Sequence, residues 1–475
     1  MRDGRPGRAP CIGRTRGVTL VAAAVLVAAC AGPVPAPNPD PPPPSTAATT
    51  VPRLPFPPAP AVPDGPLADD VVSALDSIWR GIVTGIDPAD VAVVGASGDA
   101  RLAWLLADLL RFFPGGEVQD AIVDALEQLT GVRFEAPVVW VAVTDHLIAW
   151  DLPAPPGYVD YKRILFTQIE PKWEPFFTEP SGLDHRWVTW GGVFIDDRPL
   201  GTPFTCPNAC IPALDDPAVT DAEGGDWYPD DGVVFGVVID GEARAYPRNI
   251  MEVHEMVNDR LGGRRFALPY CTLCGSAQAF FTDDIPGFDL AVMRTTGLLS
   301  RSNKVMFDVV TFSAFDTFRG VAATGPMFEA GVTLRPISVV TTTWGAWKEA
   351  HPDTTIVAED GGIGRVYPDD PLGGRDANGP IFPIGDRDLR LPVQAQVVGV
   401  VLDDGTPVAF PADAARVALL RGDPVELAGV RLVLDGDGLR AVGADGTSIA
   451  SHQAFWFAWS QFNPDTLLWV PPLGD

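Results

Sequence analysis

Gly236-Val237-Val238-Ile239-Asp240-Gly241, running on to Ala245-Tyr246-Pro247, decides the reading of the fold, because the chain contains it twice. Gly399-Val400-Val401-Leu402-Asp403-Asp404-Gly405 leads in the same way into Ala409-Phe410-Pro411. A β-branched run ending in Asp-Gly reads as a hairpin, and a proline after its second strand opens a helix. Downstream, the run that starts at Leu261 recurs at Leu427, and Trp344-x-x-Trp347-x-x-x-His351-Pro352-Asp353-Thr354 recurs as Trp456-x-x-Trp459-x-x-x-Asn463-Pro464-Asp465-Thr466. The first of these pairs is offset by 166 positions and the second by 112, so about 54 residues are extra in the first copy.

Before the repeats, Val71, Leu75, Ile78 and Trp79, then Leu102, Leu105, Leu106 and Leu109, then Ile122, Leu126 and Leu129 recur at helical spacing. Asp87-Pro88 and Pro114-Gly115-Gly116 separate these segments. The expected fold class is therefore α+β: a small all-helical N-terminal domain followed by a β-rich domain of two duplicated β-hairpin-helix units. The expected boundaries are a signal segment over 1–29, a Pro-rich tether over 30–66, a helical domain with an aromatic-rich connector over 67–183, and the duplicated domain over 184–475.

Chemistry concentrates in Pro269-Tyr270-Cys271-Thr272-Leu273-Cys274-Gly275. Two thiols with two residues between them can close a disulfide, bind a soft metal or exchange with another disulfide. Ile250, Val253, Val257 and Leu261 continue a 3.6-residue stripe that carries His254, which predicts an inward imidazole, either a core histidine held by a backbone carbonyl or a third group meeting Cys271 and Cys274. The second copy has Asp437 and Arg440 at the positions of the cysteines, so only one copy carries the site. The extra segment, with Arg301, Asn303 and Asp308, is expected to wall a pocket over the pair together with Tyr246, Tyr270 and Gly275. Cys206 and Cys210 read as a structural disulfide, with a four-thiolate zinc site joining both pairs as the alternative.

Ala243-Arg244-Ala245-Tyr246-Pro247, Val253-His254-Glu255-Met256-Val257-Asn258-Asp259 and Tyr270-Cys271-Thr272-Leu273-Cys274-Gly275 resemble a bacterial family known as domain of unknown function 3179. Gly297-Leu298-Leu299, Asn303, Met306, the two tryptophan runs and Phe455-Trp456-Phe457-Ala458-Trp459 extend the resemblance over about residues 184–475. It implies that His254, Cys271 and Cys274 belong to the family's motif, without implying an activity. The chain departs from the family's pattern at Phe315-Asp316-Thr317 and at Asn463.

Five arginines among the first sixteen residues precede an apolar run over 18–29 that ends in Val27-Ala28-Ala29-Cys30. This reads as a signal peptide with a lipobox, Cys30 being the lipidated residue, and about a dozen apolar residues are too few to span a bilayer. The expected product is an extracytoplasmic lipoprotein, held to the membrane by its lipid at the cell surface or periplasmic face. A net charge of −27 excludes nucleic acid as a partner class. No phosphate loop or dinucleotide fingerprint is present, so no nucleotide cofactor is expected. Three functions stay open: a soft-metal site for zinc or copper at Cys271, Cys274 and His254; thiol–disulfide redox chemistry; or a non-catalytic surface module with structural disulfides, its protein partner or small ligand unidentified.

Overall fold

The hairpins legible in the sequence build two sheets of one plan. In this computed structural model, which describes residues 51–202, 206, 208–377 and 379–471, the strands Val233–Ile239 and Glu242–Pro247 pair antiparallel. Val340–Thr343 adds antiparallel on one side, Thr355–Val357 parallel on the other, and Val219–Asp221 closes that edge. The second copy pairs Gln396–Val401 with Pro407–Pro411, flanked by His452–Phe455 antiparallel and Leu467–Leu468 parallel. A short helix, Trp344–Ala350 or Trp456–Phe462, joins each pair of flanking strands. Its second tryptophan lies flat on the hairpin glycine, Trp347 on Gly236 and Trp459 on Gly399, each indole donating to a threonine hydroxyl seven residues on. Glycine is needed at both places because a Cβ would overlap the indole ring.

The two copies cross-pack. The turn Asp435–Gly438 of the second copy lies on the first sheet, where the Asp437 carboxylate accepts from the Thr342 and Thr343 hydroxyls and the Thr343 amide. The corresponding turn of the first copy holds Cys271 and Cys274 and lies on the second sheet, with Gly275 beneath Phe455 and Gln396.

The expected fold class is corrected by this architecture. Among the described residues the β part contains five separate sheets, of five, six, five, four and three strands, so two hairpin-helix units do not describe it. The six-stranded sheet carries Met256–Leu261 and Arg264–Cys271, and another five-stranded sheet is built on Met293–Ser300 and Asn303–Asp308, largely from the extra residues of the first copy. Nor do the N-terminal helices form a domain of their own. Helices Asp69–Gly81, Pro88–Ala96, Ala103–Phe112, Gly116–Thr130, Val139–Ala149 and Tyr158–Ile169 share one hydrophobic core with Leu298, Val305, Phe307 and Ala314. Trp173 seals that junction by donating to the Thr296 carbonyl at 2.7 Å. An apolar helix stripe is indifferent to whether helix or sheet covers it, and here it is both.

The chain divides into compact units Met1–Pro42 and Pro43–Asp475, and every described residue belongs to the second. Cys30 and the signal segment lie outside the described residues. Of the Pro-rich stretch, residues 51–66 lie along the folded body: the Leu54 amide donates to the Arg387 carbonyl at 3.1 Å, and Trp150 donates to the Pro57 carbonyl at 2.7 Å. No described helix is long and apolar enough to cross a membrane.

A candidate dithiol site between the two copies

Cys271 ends the strand Arg264–Cys271, and Cys274 closes the single 3-10 turn Thr272–Cys274 that follows. Gly275, at φ 57°, then reverses the chain into Ser276–Ala277. Both thiols are free and buried. Cys271 keeps 5% of its surface in contact with solvent and Cys274 none, a difference that makes Cys271 the more accessible residue. Both sulfurs face one oxygen, the Ser302 carbonyl, at 3.8 Å from Cys271 Sγ and 3.2 Å from Cys274 Sγ. The Ser302 hydroxyl is held by the Gln461 amide, a residue of the second copy.

The two thiols are electrostatically unequal. Burial pushes Cys271 up, but the hydrogen bond from Cys274, the charge of Lys304 and the Lys304 backbone amide outweigh it, with Glu255 opposing; its pKa ends below the usual thiol value. Cys274 is pushed well above that value by burial and by donating to Cys271. Lys304 is itself buried, its ammonium bonded to the Glu255 carbonyl at 2.7 Å and paired with the Glu255 carboxylate at 2.8 Å. The Glu255 carboxylate also accepts from the Thr272 hydroxyl at 3.0 Å, tying this ion pair to the Cys-x-x-Cys turn.

The structure does not bring His254 to the thiols, which corrects the three-residue site. Its Nδ1 donates to the Pro212 carbonyl at 2.8 Å and its Nε2 accepts from the Tyr367 hydroxyl at 2.7 Å. The helix expected through Leu261 ends at His254; Glu255 turns the chain at φ 52°, and Val257 and Leu261 lie on the strand Met256–Leu261. The apolar stripe therefore crossed a helix–strand boundary, and Glu255 went toward Cys271 while His254 went the other way. Burial pushes the His254 pKa down to about 4, helped by Arg365 and Arg198 and opposed by the bond to Pro212 and by Asp196. A folded-state value below the ordinary 6.5 makes the stability that neutral His254 contributes complete above pH 6.5. That contribution should fall by about 3 kcal/mol in all between pH 6.5 and 4. Chemical denaturation of wild type and His254→Gln across that window checks this, since the variant should lose that part of the slope.

The remaining expected wall residues are dispersed. Tyr270 is buried on the opposite face of its strand, against Phe235, and Gly275 packs under Phe455. The Tyr246 hydroxyl donates to Asp259 at 2.7 Å, and Asp308 accepts from the Val292 amide and from Thr311. Asn303 is buried, while the Arg301 guanidinium stacks over Trp187, 4.0 Å from the ring centroid. Conversely, Glu255, Ser302, Lys304 and Gln461 were not anticipated. Lys304 left a trace in the sequence, as a lone cation at the head of the apolar strand Asn303–Asp308.

Cys206 and Cys210 are joined in a disulfide. Asp196 completes the only cluster of metal-ligand type found among the described residues, with those two cysteines. Its carboxylate already accepts from Arg198 at 2.7 Å and from the Ala213 amide at 2.9 Å, and disulfide sulfurs are poor ligands. At Cys271 and Cys274 only two thiols converge, short of the four donors that structural zinc takes. The donor set does not fit a four-donor zinc site; two thiolates without His254 are what is left of the expected zinc or copper site, a soft pair of the kind copper(I) takes.

Residues 208–442 match the model of a family described as Protein of unknown function (DUF3179). No curated protein and no solved structure matches the chain.

Proposed function

Residues 208–442 belong to that family of unknown function, and from this premise we propose that the chain is a thiol–disulfide exchange protein acting outside the cytoplasm. One observation carries the reading: two adjacent free thiols of opposite acidity, the more accessible one having the lower pKa. That is the division of labour between an attacking and a resolving cysteine. The Cys271 thiolate attacks a sulfur of a partner protein's disulfide, forming a mixed disulfide and expelling the partner's other sulfur as a thiolate. Cys274 gives its proton to that thiolate and attacks Cys271 Sγ. The intramolecular disulfide forms and the second partner thiolate leaves, taking a proton from solvent. The pair loses two electrons and the partner disulfide gains them. An extracytoplasmic address is supported by the lipobox at Cys30 and by the oxidised Cys206–Cys210 pair, since structural disulfides persist in oxidising compartments.

The test uses native protein and oxidised glutathione. Cys274→Ala should accumulate a mixed disulfide at Cys271, identified by mass, whereas Cys271→Ala should react at least ten times more slowly, because its remaining thiol is fully buried and of raised pKa. Wild type should close the Cys271–Cys274 disulfide. Thiols that stay unmodified in the folded wild type, or a stoichiometric metal that protects them, would overturn the proposal.

A further inference from the structure

Glu255 stands where the fold favours glycine. It ends the helix Arg248–His254 at φ 52°, in the left-handed region that is strained for any residue with a Cβ. In the second copy the corresponding helix, Ala412–Arg421, is ended by Gly422 at φ 86°. A glutamate kept against that preference points to a task for its side chain.

Four hydrogen bonds show where Glu255 acts. Its carboxylate accepts from the Thr272 hydroxyl at 3.0 Å and from the Lys304 ammonium at 2.8 Å. Its carbonyl accepts from the same ammonium at 2.7 Å and from the Tyr270 amide at 2.9 Å. Tyr270 and Thr272 are the chain neighbours of Cys271, so Glu255 holds that cysteine from both sides, together with Lys304, whose own backbone amide reaches the Cys271 sulfur. Lys304 is 4% exposed, and an ion pair buried in this way is ordinarily no better for stability than apolar side chains of the same size, so folding alone does not account for it. Cys274, Glu255 and Lys304 are the titratable groups that act most strongly on Cys271, while the second copy contributes apolar side chains, Val397, Ala454 and Phe457, to the core that encloses the thiols.

We propose that Lys304 and Glu255 are positioning residues for the exchange reaction, Lys304 bringing to the Cys271 sulfur the positive charge that favours its thiolate and Glu255 fixing that charge while offsetting part of it. This inference rests on the exchange reading above. The opposed charges poise the attacking sulfur between two limits. Without the cation too little thiolate forms to attack; without the anion the thiolate is stabilised so far that it becomes too good a leaving group, and the mixed disulfide reverses before Cys274 closes the ring.

The test follows attack of Cys271 on bis(2-hydroxyethyl) disulfide, which carries no charge, in the whole chain with Cys274→Ala as parent, so that the mixed disulfide persists and is identified by mass. At neutral pH, Glu255→Gln, which keeps the length of the side chain and one acceptor oxygen, should react at least about three times faster than the parent, Lys304→Met at least about ten times slower, and the double variant at a rate between the two. A brace without an electrostatic role would behave otherwise, since its loss loosens the turn and speeds every variant, the double variant most. Lys304→Met no slower than the parent, a double variant as fast as Glu255→Gln, or rates all within about twofold would overturn the proposal. Should Lys304→Met not fold by itself, Glu255→Gln against the double variant decides. No mixed disulfide in the parent would instead overturn the exchange reading, and this inference with it.

Discussion

Gly399→Val is expected to destabilise the protein by about 3–5 kcal/mol, lowering its melting temperature by on the order of 10 °C. The backbone at 399 is in contact with Trp459, itself 1% exposed, and a Cβ would come within 2.0 Å of an indole ring carbon. Strand and indole are both anchored: Val398 and Val400 are each 1% exposed, and the Trp459 nitrogen is fixed to the Thr466 hydroxyl at 2.8 Å. Over-packing of a well-filled core ordinarily costs about 1–3 kcal/mol, and displacing a buried tryptophan adds to it. Gly115→Ala is the control, because a Cβ there meets no atom within 4 Å. It should shift stability by less than about 1 kcal/mol. Calorimetric melting of both variants measures the difference.

Lys162→Met is expected to cost a comparable amount at neutral pH, about 3–5 kcal/mol, by leaving a buried carboxylate without its cation. Lys162 is fully buried and reaches Asp108 at 2.7 Å and the Tyr158 hydroxyl at 2.9 Å, while Tyr158 closes the triad on Asp108 at 2.8 Å. Burial already raises the Asp108 pKa, with Lys162 and the hydrogen bond from Tyr158 opposing, so removing Lys162 should raise it further. An acid whose folded-state pKa is raised is penalised above that value and relieved below it. The deficit of Lys162→Met should therefore shrink as the pH falls through the raised value, and Asp108→Asn should restore much of the stability lost in the Lys162→Met background. Urea unfolding at neutral and mildly acid pH, compared across wild type and the two variants, checks both statements.

Local features were legible because neighbours in sequence determine them. The stripe Val71, Leu75, Ile78 marks a helix, and Asp87-Pro88 supplies its successor with a cap, the Asp87 carboxylate accepting from the Ala89 amide at 2.9 Å. The hairpins at Asp240-Gly241 and Asp404-Gly405 announce themselves through turn chemistry. Reading on from the helix that holds His254, the same periodicity misled, because Val257 and Leu261 keep a helical spacing while lying on a strand whose alternate residues are also buried. Nothing local in Met256–Leu261 distinguishes the two, since both faces of this strand are covered.

By itself the sequence determined the repeat of the hairpins and of the two tryptophan runs, and the adjacency of Cys271 and Cys274, since each depends on residues a few positions apart or on a motif written twice. Tertiary structure alone decided the number of sheets, the merging of the N-terminal helices into one core with Leu298 and Phe307, and which side chains meet the thiols. Glu255, Ser302, Lys304 and Gln461 come from four places between 255 and 461. Gln461 joins the other three because the Cys-x-x-Cys turn of one copy is packed on the sheet of the other. The acidity of Cys271 is set by burial and by charges that far apart in the chain, and the energies of burial and of charge depend on distance in space, whatever the separation in sequence.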